Sequence, residues 1–375
     1  MKRPSALILT ARYGSGHLQA AKVLAQELNR KGFESVVSDL FGESYPAFTN
    51  LTQTLLLKSF TYGPSFYKWF YYGTNKLHSK GLVQFSKYLG RKRLLELIAL
   101  YNPAFVITTF PLHTAPFFIK KSKSSIPVYT VITDYCAHPY WTNPLIDHYF
   151  VASKSVKLSL LAKNIEEQRI TVSGIPIRSS FEMDFNRKMV YRKYKISSHK
   201  KVITILAGAD GVLKNVKELC ETLLQNPAYQ VLVVCGRNEK LYEKLSPLVL
   251  RFPDSIRLFQ YVEEIHEIFI VSDCLVTKPG GLTLTESAAL QIPLILYKPV
   301  PGQEAENAKY FAEKGAALIS YSNKETFDHI QRLFQDETLA TKMKNSLNEI
   351  YQPFSAKTIA DFAIKQIEEN YVITL

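Results

Sequence analysis

The feature that most restricts the fold is a repeated local grammar: a short apolar run, a glycine-bearing turn, then a helix apolar on one face. Ala6-Leu7-Ile8-Leu9-Thr10 leads into Gly14-Ser15-Gly16-His17, after which Leu18, Ala21, Leu24, Ala25 and Leu28 fall at helical spacing. Gly32 closes that helix, and 35–40 reads as a second strand. Runs without polar alternation suit parallel strands covered on both faces, and strands joined through helices make βαβ units. Further strands are expected at 105–109, 127–133, 149–152 and 170–172.

The pattern restarts at Lys201. Strands are expected at 201–206, 229–235, 256–259, 274–277, 293–297 and 317–319, with helices between them. Two such halves predict an α/β chain of two Rossmann-like domains facing a cleft. The expected division is a first domain at 1–177, a polar linker at 178–200, a second domain at 201–352 and a C-terminal helix at 353–375 that packs back on the first domain. A length of 375 residues with 46% apolar content is ample for two cores. No uncharged apolar run is long enough for a membrane span, and the apolar run before Arg12 is too short for a signal peptide. Cys136, Cys220, Cys235 and Cys274 are scattered without CxxC spacing, which fits reduced thiols and a cytoplasmic setting.

The net charge of +13 is unevenly placed. Residues 1–175 hold 21 Lys/Arg against 9 Asp/Glu, whereas 176–375 hold 25 against 24. An anionic partner of the first half is implied. From Tyr45 to Arg93 there is no acidic residue, but there are eight Lys/Arg and twelve aromatics, densest at Phe66-Tyr67-Lys68-Trp69-Phe70-Tyr71-Tyr72. Such mixing favours the headgroup zone of an anionic membrane, with Lys68, Trp69 and Tyr71 as contacts, and each basic residue near the surface adds on the order of 1 kcal/mol. The alternative is a helical insertion with core aromatics and a solvated lysine face. Nucleic acid is disfavoured because no recognised binding motif accompanies the aromatics.

Two constellations could carry chemistry. The first is Lys278 to Asn307, KPGGLTLTESAALQIPLILYKPVPGQEAEN. Gly280 and Gly281 sit at a strand-to-helix turn whose free backbone N–H groups and dipole suit a phosphate, with Thr283 and Thr285 as added donors. Glu286, about one turn on, suits a ribose diol. Gln303, Glu304 and Asn307 are expected in a polar loop, where the first two would meet sugar hydroxyls. Gly208 and Gly211 form a second phosphate-facing turn. A nucleotide sugar is the ligand this set suits. The second constellation lies in the first half. His17, at the carboxyl end of the first strand, suits a general base held neutral by the helix N-terminus, and equally a loop or capping histidine. Asp134, with His138 and Trp141 in the following loop, could orient His17, bind an acceptor, act as base or form a plain turn. No metal-ligand spacing and no Asp-x-Asp pair is present, so neither a metal nor another cofactor is expected.

These residues resemble one family. Gly14-Ser15-Gly16-His17, Thr133-Asp134-Tyr135 with His138 and Trp141, Ser173-Gly174-Ile175-Pro176, Lys278-Pro279-Gly280-Gly281 through Glu286, and Pro301-Gly302-Gln303-Glu304 with Asn307 are similar to the processive diacylglycerol glucosyltransferases and the plant monogalactosyldiacylglycerol synthases. More distantly the chain is similar to the peptidoglycan N-acetylglucosaminyltransferase acting on an undecaprenyl lipid. The resemblance covers nearly the whole chain. It implies a GT-B fold and an inverting, metal-independent transfer of a hexose from a UDP-sugar to diacylglycerol, at the cytoplasmic face of the cell membrane as a peripheral protein. By the same resemblance His17 lies on the acceptor side as the base; from the residues themselves, Asp134 is expected to assist it and Gly14, Gly16, His138 and Trp141 to lie on the acceptor side. It also implies that Gly280 and Gly281 face the diphosphate, Glu286 the ribose, Val262 the uracil, and Gln303 and Glu304 the sugar; Gly208 and Thr283 join the diphosphate set on the reading of their turns alone. A soluble UDP-sugar epimerase and a non-catalytic UDP-sugar sensor are the rival classes. Glucose against galactose is left open.

Overall fold

A computed structural model describes residues 3–12, 14–47, 49, 86–207, 213 and 215–373. Its chain divides into two compact units. One comprises Met1–Ser179, Pro301–Gln303 and Gln352–Leu375; the other comprises Ser180–Val300 and Glu304–Tyr351. Each unit, among the described residues, holds one six-stranded parallel sheet.

The first unit runs β1 (Ser5–Thr10), α1 (Ser15–Arg30), β2 (Glu34–Asp39), α2 (Leu40–Ser44), α3 (Arg91–Tyr101), β3 (Phe105–Thr108), α4 (Thr114–Lys121), β4 (Val128–Val131), β5 (His148–Val151), α5 (Lys154–Leu161) and β6 (Ile170–Val172). The strand order is β2-β1-β3-β4-β5-β6. Every residue of β1, β3, β4 and β5 is buried, which is why, apart from Ser5 and His148 at their starts, their sequences read as apolar or β-branched runs. The chain leaves β1 toward β2 and returns on the other side at β3. This places a crevice at the carboxyl ends of β1 and β3, the usual ligand position in such sheets.

The second unit runs α6 (Arg187–Lys193), β7 (Lys201–Leu206), α7 (Val216–Leu223), β8 (Tyr229–Val234), α8 (Glu239–Arg251), β9 (Ile256–Phe259), α9 (Ile265–Ile270), β10 (Cys274–Thr277), α10 (Gly281–Ala289), β11 (Leu294–Tyr297), α11 (Gln303–Glu313, whose first residue, Gln303, is counted with the first unit), β12 (Ala317–Ser320), α12 (Asn323–Gln335) and α13 (Glu337–Ile350). Its order is β12-β11-β10-β7-β8-β9, so the corresponding crevice lies at the ends of β7 and β10. Cys220, Cys235 and Cys274 are buried in its core beside Ile203, Val231 and Ile295, where burial pushes all three thiols up. The thiol of Cys235 rises to about 11.

The last helix, α14 (Ser355–Ile373), packs on the first unit. Ile359, Ala360 and Ala363 are fully buried with Ala6, Ile8, Leu24 and Leu28, and Phe362 lies 4.1 Å from the His148 ring between centroids. Complete burial of Ile359 alone contributes about 1.5–3 kcal/mol. Lys31 pairs with Asp361 at the edge of this contact. The helix is joined to the first sheet at Gly174, whose carbonyl accepts from Ser355 Oγ at 3.0 Å. Gly174 has φ +80, and a Cβ there would meet Gln352 Cβ at 2.8 Å and its carbonyl at 2.9 Å, so only glycine fits.

The structure departs from the sequence expectations at two places. Residues 178–200 are not an open linker. They contain α6, and Phe181, Val190 and Ile196 are buried, with Phe181 edge-on to Phe269 at 5.4 Å. Gln303, Glu304 and Asn307 belong to α11 rather than to a loop, because the turn at 301–302 ends just before Gln303.

Candidate functional site

In the first unit, His17 is the third residue of α1, directly beyond the end of β1. Gly14 caps that helix with φ 151 and ψ 144, a conformation that a side chain would strain, and Gly16 lies in the first turn. The His17 ring is half-buried. Its edge meets Phe110 at 5.2 Å between centroids, and Trp141 is tilted over it at 6.1 Å. Nδ1 lies 2.9 Å from the carbonyl of Thr109, just past β3, and 2.7 Å from Oγ1 of Thr133, just past β4. Thr109 reaches back: its hydroxyl hydrogen-bonds the His17 carbonyl at 3.0 Å and Thr10 Oγ1 at 3.0 Å. Three adjacent strand ends thus converge on one imidazole.

A carbonyl oxygen can only accept, so this contact favours the tautomer with the proton on His17 Nδ1 and the lone pair on Nε2. Burial lowers the pKa from 6.5 to about 4, against a smaller upward pull from the Thr109 carbonyl. The ring is therefore neutral at pH 7.

Around it the other expected residues take distinct places. Asp134 follows Thr133 and accepts from the Gln303 side chain within the same unit. His138 caps the short 3-10 turn Pro139–Trp141, its Nδ1 accepting from Tyr140 N at 3.2 Å while its ring stacks on Tyr140. This is the capping role that a loop histidine can equally fill. Trp141 is buried in a cluster with Ile132, Ile146 and Tyr149. Beyond it, Asn143 bridges to His113 Nδ1 at 3.2 Å and exchanges two backbone hydrogen bonds with the Tyr149 hydroxyl. Lys68, Trp69 and Tyr71 lie outside the described residues. At the edge of that segment, Lys87 sits over the Phe117 ring at 5.1 Å and Arg91 over Phe118 at 4.8 Å, with exposed Tyr88 against both rings.

In the second unit, Lys278, Pro279 and Gly280 follow β10. Gly280 is the N-cap of α10, with extended φ −73 and ψ 134, and no side chain caps the helix. A Cβ on Gly280 would meet nothing within 4 Å, so the space in front of this turn is open. Gly281 is buried at the first helical position, and Thr283 is half-buried two residues on. Thr285 is a correction: its hydroxyl donates to the Gly281 carbonyl at 2.8 Å, inside the helix, and is not turned out as a phosphate donor. Glu286 is buried, 4% exposed, a rare situation for a helical carboxylate.

The turn is braced from α11. Asn307 Nδ2 donates to the Pro279 carbonyl at 3.1 Å. Lys278 Nζ donates to the Lys298 carbonyl at 3.0 Å and to Glu304 Oε2 at 3.4 Å, and the same Oε2 accepts from Val300 N at 2.9 Å. One carboxylate oxygen of Glu304 therefore ties the loop before α11. Val262 follows β9 and is half-buried. Gly208 lies outside the described residues, immediately after Ala207 at the end of β7.

Thr109 and Lys278 contact the expected site residues without having a role in the sequence reading, and Lys278 and Thr133 stand there only within motifs. Lys278 was findable, being the first residue after a strand and beside the glycine pair. Thr109 and Thr133 stand 92 and 116 positions from His17, and nothing local marks them.

Residues 17–177 match the family described as Monogalactosyldiacylglycerol (MGDG) synthase, and residues 181–349 match Glycosyl transferases group 1. A relative from Bacillus cereus, named processive diacylglycerol beta-glucosyltransferase, is 46% identical over 375 residues, covering 99% of this chain and 97% of its own. One of the same name from Bacillus thuringiensis is 46% identical over 373 residues, covering 99% and 95%. Among solved structures, MurG of Acinetobacter baumannii superposes with a TM-score of 0.65 at 15% identity, covering 96% of this chain and 99% of that one. A UDP-GlcNAc 2-epimerase from Neisseria meningitidis, bound to UDP-GlcNAc, gives 0.63 at 13% identity, covering 96% and 100%. At such identities these two likenesses show the fold alone.

Proposed function

Since the chain belongs to the family of the processive diacylglycerol beta-glucosyltransferases, we propose that it transfers a hexose, glucose foremost, from a UDP-sugar to 1,2-diacylglycerol at a membrane surface. The observation that carries this reading is the near-complete coverage at 46% identity, joined to a neutral, oriented imidazole at the first switch point. The second unit binds the donor. Its diphosphate meets the uncapped start of α10 at Gly280 and Gly281, Glu286 takes the ribose hydroxyls, and Gln303 and Glu304 address the sugar. Val262 flanks the uracil.

In the first unit, His17 Nε2 takes the proton of the free glycerol hydroxyl. The alkoxide oxygen forms its bond to the anomeric carbon from the face opposite the diphosphate, and the bond from that carbon to UDP breaks with its electron pair. The product is a β-glycoside. Backbone N–H groups at the helix start take up charge developing on the leaving diphosphate, so no metal is required in this scheme.

Membrane attachment is peripheral, through the basic, aromatic segment that begins near Tyr45, on the cytoplasmic face. Lys87, Arg91 and Lys121 beside Phe117 and Phe118 support it, since cations held over aromatic rings suit a headgroup layer. Among the described residues, no helix is long and apolar enough to cross a membrane.

The test is direct. Purified protein is incubated with labelled UDP-glucose, UDP-galactose or UDP-GlcNAc and anionic liposomes containing diacylglycerol, and the lipids are extracted. Label in glycosyldiacylglycerol, greatest with UDP-glucose, is expected. Absence of lipid label with every donor would refute the proposal, and a soluble isomerised nucleotide sugar would point to an epimerase.

A further inference from the structure

We propose that Thr133 and the backbone carbonyl of Thr109 act as a two-acceptor clamp on the Nδ1–H of His17, holding the ring in the tautomer that offers its Nε2 lone pair to the acceptor hydroxyl. The inference rests on the reading of His17 as base and adds two positioning residues to it. In hydrolases with a Ser-His-Asp arrangement, a buried carboxylate holds the corresponding nitrogen and stabilises the imidazolium. Here the hydrogen-bond partners of the ring, among the described residues, are the Thr109 carbonyl at 2.9 Å and Thr133 Oγ1 at 2.7 Å. Both are uncharged.

The geometry decides the proton's place. Were Nδ1 bare, its lone pair would face the lone pairs of the Thr109 carbonyl at 2.9 Å, and only Thr133 could donate to it. With Nδ1 protonated, one N–H is shared between two acceptors, a three-centre bond. The clamp is built into the sheet. Thr109 N donates to the Leu9 carbonyl at 3.0 Å, continuing the pairing of β3 with β1, and the Thr109 hydroxyl fastens the His17 carbonyl at 3.0 Å. Thr133 is buried, as is Thr109, so water does not replace either acceptor freely.

The consequence is a specific division of effect. The shared N–H bond strengthens as Nε2 gains its proton, because a charged donor binds an acceptor more tightly than a neutral one. Thr133 therefore acts on the reaction's protonated state and not on donor binding. The flanking rings are Phe110 and Trp141, neither of which titrates, and the downward shift of His17 has burial as its leading cause with no charged neighbour contributing.

Two measurements test this. Nitrogen NMR of histidine-labelled protein, with the His17 signals assigned by their loss in His17→Gln, is expected to show Nδ1 protonated and Nε2 bare at pH 7; the opposite tautomer would overturn the clamp. In kinetics, Thr133→Val is expected to lower kcat about tenfold with donor KM unchanged and to move the acid limb of kcat/KM to lower pH, while Thr133→Ser restores both. Unchanged kcat and acid limb in a folded Thr133→Val protein would also overturn it. Full kcat in His17→Ala would sink the base reading itself. An inactive His17→Ala with Nε2 protonated in the wild type would sink the clamp alone.

Discussion

Replacing Gly280 with alanine separates a glycine kept for the fold from one kept for a ligand. At φ −73 and ψ 134 the backbone is fully open to alanine, and the added methyl would touch nothing within 4 Å. The folded chain loses nothing, and the unfolded chain loses freedom, so stability is expected to hold or to rise by up to about 1 kcal/mol. The methyl does, however, occupy the open space in front of the uncapped start of α10, where the donor diphosphate is proposed to sit. Displacing one backbone N–H from a charged oxygen costs about 1.5–3 kcal/mol. That corresponds to a rise of roughly 10- to 150-fold in the dissociation constant for UDP. Thermal melts and titration calorimetry with UDP, run on the same preparation, read the two terms apart. An unchanged melt with UDP affinity within twofold of the wild type would show that the open space is not ligand space. A strongly lowered melting temperature would show that the glycine serves packing.

Other substitutions have equally defined outcomes. Gly174→Ala must place a Cβ 2.8–2.9 Å from Gln352 at φ +80, so a loss of about 2–4 kcal/mol, read by denaturant unfolding, is expected. Glu286→Gln should raise the donor KM at least tenfold with kcat little changed, because a ribose diol bonds a carboxylate more strongly than an amide; equal KM would remove Glu286 from the donor site. His17 and His148 both have pKa values lowered to about 4, chiefly by burial, with Arg169 adding to the effect on His148. The folded state then binds fewer protons than the unfolded one between about pH 4 and 6.5. The stability due to these two groups is complete above pH 6.5 and is lost on acidification through that window, each contributing on the order of 1–3 kcal/mol. A melting temperature flat from pH 7 to 5 would contradict those shifts. Liposome binding should weaken with salt and on joint replacement of Lys68, Trp69 and Tyr71; indifference to both would return that segment to a core insertion.

Parts of this structure are plain in the chain because their causes are local. Lys201–Leu206, Ile256–Phe259 and Cys274–Thr277 are short runs rich in apolar and β-branched residues, and the strands begin and end there. The glycine turn at Gly280 is equally legible, since glycine at a strand-to-helix junction has few other uses. What the chain conceals are meetings of distant residues and helices that begin after a breaker. Gln303 follows Pro301-Gly302, which suggests a loop, yet the Ala305 amide already bonds the Val300 carbonyl at 3.1 Å and α11 has begun. Phe181, Val190 and Ile196 are thinly spread among charges, so their burial within the second unit leaves no periodic trace. In sequence His17 suits a base and a cap equally. The carbonyl of Thr109 and the hydroxyl of Thr133, delivered by two other strand ends, give its ring an orientation that no local pattern encodes.

His17 is proposed to deprotonate a lipid hydroxyl for attack on a UDP-sugar. The most direct test of this is the transfer of labelled glucose into diacylglycerol by wild type and His17→Ala, with UDP affinity measured on both proteins. Lipid label is expected with the wild type, with kcat at least about a hundredfold lower in the variant and UDP binding within twofold. Lipid label formed by His17→Ala at the wild-type rate would contradict it.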